Sequence, residues 1–280
     1  MILLACTVAL AVAPAPKLSS LSFVFLLITA FPVLTLCVPR TCPAEEQELI
    51  SILNFNTEFQ HNDHYDLFDQ VVIKRQPDVI ALVEINKKWI DNIEKTTKPY
   101  VYNKIVLKGP GMALFSKYPI EKCDVRFFGK SHHPRILATL LVKGKRLDMV
   151  IVHPTTPQSE AGYRERNQEF ELIGSELDKL PNTKILMGDL NCGPWSPEFK
   201  ALLSHGLNDS QKGFGPQPSW PARFGRIAGL PIPPLIPIDH VLISEDLCAT
   251  ERSVGPAMQS DHLPVFVQLR MAKEKPVENN

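Results

Sequence analysis

Polar residues stand at the ends of apolar runs throughout this sequence. Asn54 and Asn56 interrupt the run Ile50–Phe55, Glu84 ends Val79–Val83, His153 ends Met149–Val152, and Asp189 and Asn191 follow Ile185–Met187. Asp239 and His240 precede Val241–Ile243, and Asp261 and His262 precede Leu263–Phe266. An unpaired carboxylate in a low-dielectric surrounding costs several kcal/mol, so acids set against buried strands call for hydrogen-bond partners or a metal ion. Any one of these residues alone reads as a strand-end cap or a turn residue. The case for a site rests on acid, amide and imidazole recurring at strand ends in one chain.

The elements that must position these residues follow from periodicity and punctuation. LISILNFN from Leu49 reads as a buried strand, Tyr65 to Lys74 carries Leu67, Phe68, Val71 and Val72 at helical spacing, and Val79–Val83 is a second buried strand. Strands are expected at Tyr100–Val106, Gly111–Ser116, Cys123–Phe128, Ile136–Val142 and Leu147–Val152, with turn residues between them. A helix over Gly162–Leu180, a strand at Lys184–Met187, a short helix at Pro197–Leu203 and closing strands at Ile238–Ile243 and Pro264–Leu269 complete the pattern. Gly213–Pro237, rich in glycine and proline, reads as a long loop. Strand follows strand in the centre without intervening helices, which disfavours a doubly wound parallel sheet. The expected fold class is α/β of the α+β type: two mostly antiparallel sheets packed face to face, with helices outside.

Composition adds limits. The 280 residues are 44% hydrophobic and 21% charged, enough to bury a real core. Thirty basic residues balance thirty acidic ones, so no broad electrostatic grip on nucleic acid is expected. The N-terminus is the compositional anomaly. Met1 to Ala13 is almost wholly apolar, and Leu18 to Val38 carries no charge. A helix needs about 20 apolar residues to cross a bilayer. The competing reading is a cleaved signal peptide, but the start lacks a positive segment and the apolar part is long and split. The expected organisation is a membrane anchor of one or two segments over 1–40, a linker over 41–48, one catalytic domain over 49–270 and a polar tail over 271–280. The six cysteines show no metal-type spacing and read as structural thiols more readily than as a disulfide framework.

The strand-end residues fall within the motifs LNFN (Leu53–Asn56), ALVEI (Ala81–Ile85), VHP (Val152–Pro154), GDLN (Gly188–Asn191), IDHVLIS (Ile238–Ser244) and SDHLP (Ser260–Pro264). In this order, over Leu49 to Leu269, they resemble the endonuclease/exonuclease/phosphatase superfamily, the DNase I-like proteins. GDLN followed by SDHLP is the specific part of the likeness. The stretch GDLNCGPWSPEF is similar to a membrane-anchored subgroup with apolar N-terminal segments.

The resemblance implies a four-layer sandwich and a metal-dependent hydrolase of phosphodiester or phosphomonoester bonds. Hard oxygen ligands suit Mg2+ or Mn2+. Carried over to this sequence, Glu84 holds the metal, with Asn54, Asn56 and Asp261 in its surroundings. Asp189 deprotonates the attacking water, Asn191 donates to the phosphate, and His262, held by Asp239, contacts a phosphate oxygen. His153 reaches the scissile phosphate. Arg135 in HHPRILATL matches an arginine often seen near the phosphate, and equally reads as a solvated strand-edge charge. Asn56 stands where some nuclease relatives have an aspartate ligand, so the site is expected to lose one charge. His240 stands where several relatives have tyrosine and reads as structural. The implied partners are a phosphate ester (nucleic acid, phospholipid head group or small phosphate) and membrane lipid through the N-terminus. The other class of reading is a non-catalytic, membrane-tethered binding domain on the same fold; the intact acid, amide and histidine set argues against it.

Overall fold

The structure is a computed structural model and describes residues 27–28, 30–39, 42, 48–227 and 230–271. The chain divides into two compact units: a large one, Cys42–Ser210 with Pro218–Asn280, and a small one, Met1–Thr41 with Gln211–Gln217. In the small unit a short 3-10 turn, Thr35–Cys37, presents the Leu36 carbonyl to the N–H groups of Gly213 and Gly215, at 2.8 and 3.0 Å.

The large unit is built on two strand–helix–strand crossovers. Strand β1 (Glu48–Asn56) runs through helix α1 (Tyr65–Arg75) into the parallel strand β2 (Val79–Ile85). Strand β7 (Lys145–Val152) runs through helix α3 (Glu160–Leu177) into the parallel strand β8 (Thr183–Asp189). Parallel neighbours cannot be joined by a tight turn, and the helices supply the return path. All other pairings in the two large sheets are antiparallel. With β3 (Tyr102–Val106), β4 (Gly111–Ser116), β13 (Leu247–Val254) and β14 (Val265–Met271), the first sheet has the order β13-β14-β1-β2-β4-β3. With β5 (Ile120–Phe127), β6 (Pro134–Val142), β9 (Leu207–Asp209) and β12 (Asp239–Ser244), the second has the order β5-β6-β7-β8-β12-β9. Each mixed sheet thus holds one parallel pair at its centre.

Side-chain alternation sets the layers. Ile50 and Ile52 of β1, with Val79, Ala81 and Val83 of β2, meet Met149, Ile151, Ile185, Met187, Val241 and Ile243 across the sheet interface. The opposite face of β1 and β2 presents Leu53, Phe55, Ile80 and Leu82 to α1 and to helix α2 (Lys87–Thr97), through Phe68, Val72, Trp89 and Ile93. The outer face of the second sheet carries α3 and helix α4 (Pro197–Leu203) through Phe170, Ile173, Leu177, Phe199 and Leu202. The result is helix, sheet, sheet, helix. Each fully buried aliphatic side chain contributes about 1.5–3 kcal/mol. Burial on both faces explains why the central strands read as unbroken apolar runs.

Several elements differ from expectation. Helix α2, KKWIDNIEKTT, is strongly polar and buries only a narrow stripe of Trp89, Ile93 and Thr97. Its start is fixed by the Asn86 side chain, which accepts from the Trp89 N–H at 3.0 Å. Strand β13, LCATERSV, is a polar edge strand without alternation. The expected loop Gly213–Pro237 contains a two-stranded hairpin, β10 (Phe224–Ile227) and β11 (Leu230–Ile232). Strand β6 begins two residues earlier than expected, at Pro134, just after His132 with φ +53°.

The expectation of unpaired thiols is corrected for one pair. Cys42 and Cys248 form a disulfide with Cα atoms 5.7 Å apart, across a sequence separation of 206 that spacing could not reveal. Cys123 and Cys192 are free. No helix among the described residues is long and apolar enough to cross a membrane. The expected anchor over 1–40 lies mostly outside the described residues, as do most of the linker and the tail.

Candidate active site

The carboxyl ends of β1, β2, β7 and β8 lie at one end of the sheet interface, and β12 and β14 begin there because they run antiparallel to β8 and β1. Crevices at the carboxyl ends of parallel strands are recurrent ligand sites. Asn56 continues the interface face of β1 defined by Ile50 and Ile52. Asp189 continues that of Ile185 and Met187, and Asp239 that of Val241 and Ile243.

Glu84 would point to the helix side by simple alternation. It is instead the extra residue of a bulge, because the β2–β4 register shifts between Val83 and Ile85. Its φ of +59° re-aims the side chain. A non-glycine residue held in this region costs about 1–3 kcal/mol. Gly188 is obligatory in a different way: a Cβ there would lie 1.8 Å from the Val152 carbonyl oxygen, at φ +142°. Its absence lets β7 and β8 close together where His153 and Asp189 leave them.

Asp189 and Asp239 are directly opposed in the β8–β12 ladder, and both are buried. His262 separates them. Its Nδ1 lies 2.8 Å from Asp239 Oδ2 and its Nε2 lies 3.6 Å from Asp189 Oδ2. Burial opposes charge on this imidazole, but Asp239 and Asp189 outweigh it and raise the His262 pKa to about 10. Burial also pushes the Asp189 carboxyl up, an effect that the His262 charge opposes and Asp239 reinforces. Ser260 supports the loop: its hydroxyl donates to the Asn56 carbonyl at 2.8 Å and accepts from the His262 N–H at 3.0 Å.

The Asn56 amide lies at the centre. Its Nδ2 donates to Glu84 Oε1 and Asp189 Oδ2, both at 3.0 Å, while its Oδ1 accepts from the Glu58 N–H at 2.9 Å. His153 Nε2 approaches Glu84 Oε1 at 3.4 Å and Asp189 Oδ2 at 3.5 Å, and neither of its buried ring nitrogens has a hydrogen-bond partner. Glu84, His153 and Asp189 offer ligand atoms within 4.8 Å of one another. Two carboxylates and an imidazole nitrogen without a partner suit a divalent cation. Asn191, at φ +49°, ties Asp189 Oδ1 through its backbone N–H at 2.8 Å and donates from Nδ2 to the Pro154 carbonyl at 3.0 Å. These groups open into a cleft of about 370 Å³ lined by Glu84, Asp189, Asn191, Asp261 and His262 on its polar side.

A model of the Endonuclease/Exonuclease/phosphatase family matches residues 53–262. The chain belongs to that family. No curated protein matches the sequence. Solved structures share the fold. Danio rerio TDP2 complexed with a single-strand DNA product is 14% identical with a TM-score of 0.67, over 79% of this chain and 99% of that one. The endonuclease/exonuclease/phosphatase from Bacteroides vulgatus is 14% identical with a TM-score of 0.66, over 81% and 100%. That from Beutenbergia cavernae is 18% identical with a TM-score of 0.64, over 81% and 72%.

Within this family fold, Glu84, His153, Asp189, Asn191, Asp239, Asp261 and His262 converge as a group. Two expected residues do not join them. Asn54 lies two residues back on the interface face of β1, and both its amide atoms are buried without a hydrogen-bond partner. The motif is therefore centred on Asn56. Two residues after Asn56, Glu58 braces the site loop and does not join the possible ligands. Glu58 Oε2 accepts from the Asp261 N–H at 3.1 Å, and its carboxylate pairs with Arg223 at 2.7 and 2.8 Å.

Arg135 is also displaced from expectation. It projects to the helix side of its sheet, where Nε and Nη2 donate to Glu176 at 2.9 and 2.8 Å and the guanidinium stacks on Phe128. It is neither in the cleft nor solvated. His240 likewise faces the helices, against Phe199, with Nε2 2.9 Å from the Cys192 carbonyl. Arg166 braces the site loop by donating to the Asn191 carbonyl at 2.8 Å.

Asn56→Asp would replace the amide donor that Glu84 and Asp189 share with a third carboxylate. The metal-free protein should lose about 1–3 kcal/mol, read as a lower melting temperature, and recover with Mg2+ or Mn2+. Asn54→Ala should show no metal-dependent difference from wild type. An Asn56→Asp protein that melts like wild type without metal would remove Asn56 from the centre of the cluster.

Proposed function

We propose that this chain is a divalent-metal-dependent hydrolase of phosphodiester or phosphomonoester bonds. The observation that carries the reading is the buried Asp189 carboxylate, with Oδ1 tied to the Asn191 N–H and Oδ2 beside His262 and Glu84. Oδ2 accepts from the Asn56 amide and keeps a lone pair to take a proton from water. Burial raises its basicity, which suits a general base. His262 spends Nδ1–H on Asp239, so its Nε2–H is the donor turned toward a phosphate oxygen. As an imidazolium it offsets charge that builds up during displacement. Glu84 and His153, beside Asp189, would hold the cation, with Asn56 keeping the carboxylates together and Asp261 close by. A bound Mg2+ or Mn2+ polarises a phosphoryl oxygen and neutralises developing charge.

The purified chain should hydrolyse bis-p-nitrophenyl phosphate with Mg2+ or Mn2+ and lose activity to a chelator. Asp189→Asn and His262→Ala should each reduce turnover by about 10²-fold or more. Wild-type rates in both variants would remove the assigned roles, and no turnover on nucleic acid, phospholipid and sugar phosphates would favour the binding-domain reading.

The proposal extends to location. The uncharged run Leu18–Val38 supports a membrane tether, and the Cys42–Cys248 bridge supports a catalytic domain on an oxidising side. In membranes from expressing cells, a maleimide polymer should reach Cys42 and Cys248 only after reduction. Labelling of both without reductant would contradict this placement.

A further inference from the structure

The cleft lining is of two kinds. One part is the acids, the Asn191 amide and the histidine described above, with Thr156 and Gln158. The other is an apolar wall of Trp220, Ile236 and Ile238, and Pro157 also lines the cleft. This apolar wall is a built feature. Trp220 and Ile236 exchange backbone hydrogen bonds, the Trp220 N–H to the Ile236 carbonyl at 3.0 Å and the Ile236 N–H to the Trp220 carbonyl at 2.9 Å. The indole Nε1 donates to Asp261 Oδ2 at 3.1 Å, fixing the ring next to the residue that precedes His262. Ser219, just before Trp220, accepts at its hydroxyl from the N–H groups of Ile238 and Asp239, both at 3.3 Å. The wall is therefore tied at two points to the polar residues, at Asp261 and at Asp239. Leu235 and Ile236 extend it outward as large apolar side chains exposed at the rim.

Charge points the same way. Among the described residues that line the cleft none is lysine or arginine, while Glu84, Asp189 and Asp261 are acidic. Arg223, the cation nearest in the hydrogen-bond network, is held on both oxygens of Glu58. A polynucleotide track needs several cations along its phosphates. This cleft would compensate one phosphate, through His262 and a divalent cation, and its other lining residues Trp220, Ile236 and Ile238 carry no charge.

Resting on the phosphoesterase reading, we infer that Trp220 and Ile236 determine specificity by holding an apolar, uncharged substituent of the scissile phosphate, so that the substrate is an apolar phosphate ester and not a nucleic-acid strand. The substituent packs against the indole and the isoleucine side chains while the phosphate faces His262. Trp220 makes no bond to the phosphate; it positions the ester and excludes water from one side of it.

Calorimetric binding to the metal-loaded full chain tests this without relying on turnover. Hexylphosphonate or benzylphosphonate should bind about tenfold more tightly than methylphosphonate, the scale of an apolar contact in a substrate pocket. Tighter binding of the hexyl compound would assign an alkyl or lipid source, and of the benzyl compound a planar one. Trp220→Ala should abolish the preference and leave methylphosphonate affinity unchanged. Ile236→Ser, at the rim, should halve the preference or more and provides the readout where Trp220→Ala fails to fold. Equal affinity for the three phosphonates in wild type, a preference that survives both variants, or tighter binding of a thymidine tetranucleotide would overturn the inference. Hydrolysis of bis-p-nitrophenyl phosphate, measured separately, reports on the phosphoesterase reading itself.

Discussion

Two carboxylates, Asp189 and Asp239, face each other in register on paired strands inside the protein. Like charges directly opposed on one sheet face destabilise the pair, and burial amplifies the effect. The arrangement favours a cation between them, and His262 lies there with its pKa raised by both carboxylates. Much of the surrounding structure fixes this contact. Ser260 orients the His262 backbone, Ser219 receives the start of β12, and buried Arg252 donates to the Asp239 carbonyl at 3.3 Å. The same contact leaves Asp189 Oδ2 and His262 Nε2 side by side, 3.6 Å apart, in residues that line the cleft.

The scaffold explains how residues from six strand ends meet. Two strand–helix–strand crossovers, one in each sheet, bring four carboxyl ends to the same edge of the interface. Antiparallel neighbours then start where the parallel strands stop. The interface core packs both sheets against each other up to the last apolar layer, and polar side chains replace that layer at the end. Two local departures complete the arrangement: the bulge at Glu84 and the missing Cβ at Gly188. The first re-aims a carboxylate toward the cluster, and the second lets β7 and β8 approach where His153 and Asp189 leave them.

The two-sheet sandwich and the strand ends were legible because central strands buried on both faces leave long apolar runs, and polar residues at their ends stand out. Glu84, His153, Asp189, Asp239 and His262 stand out this way, and the structure brings them together. Helix α2 and strand β13 were not legible, since α2 buries only a narrow stripe and β13 has no alternation. Asn54 and Asn56 look alike in the sequence; only the termination of β1 decides which of them reaches the cluster. Arg135 misled because its partner, Glu176, lies on α3, 41 residues away. The link between Glu58 and Arg223 spans 165 residues and leaves no local trace.

The account stands on His262 being an imidazolium held by two carboxylates. Nitrogen-15 NMR of the histidine rings in the metal-free protein, titrated from neutral pH upward, tests this directly. Both His262 nitrogens should remain protonated well above pH 7, with release near the value of about 10 to which Asp239 and Asp189 raise it. An unprotonated Nε2 at pH 7, accepting from the Asn56 amide 3.5 Å away, would mean that the opposed carboxylates are held apart by something else, and would contradict the account.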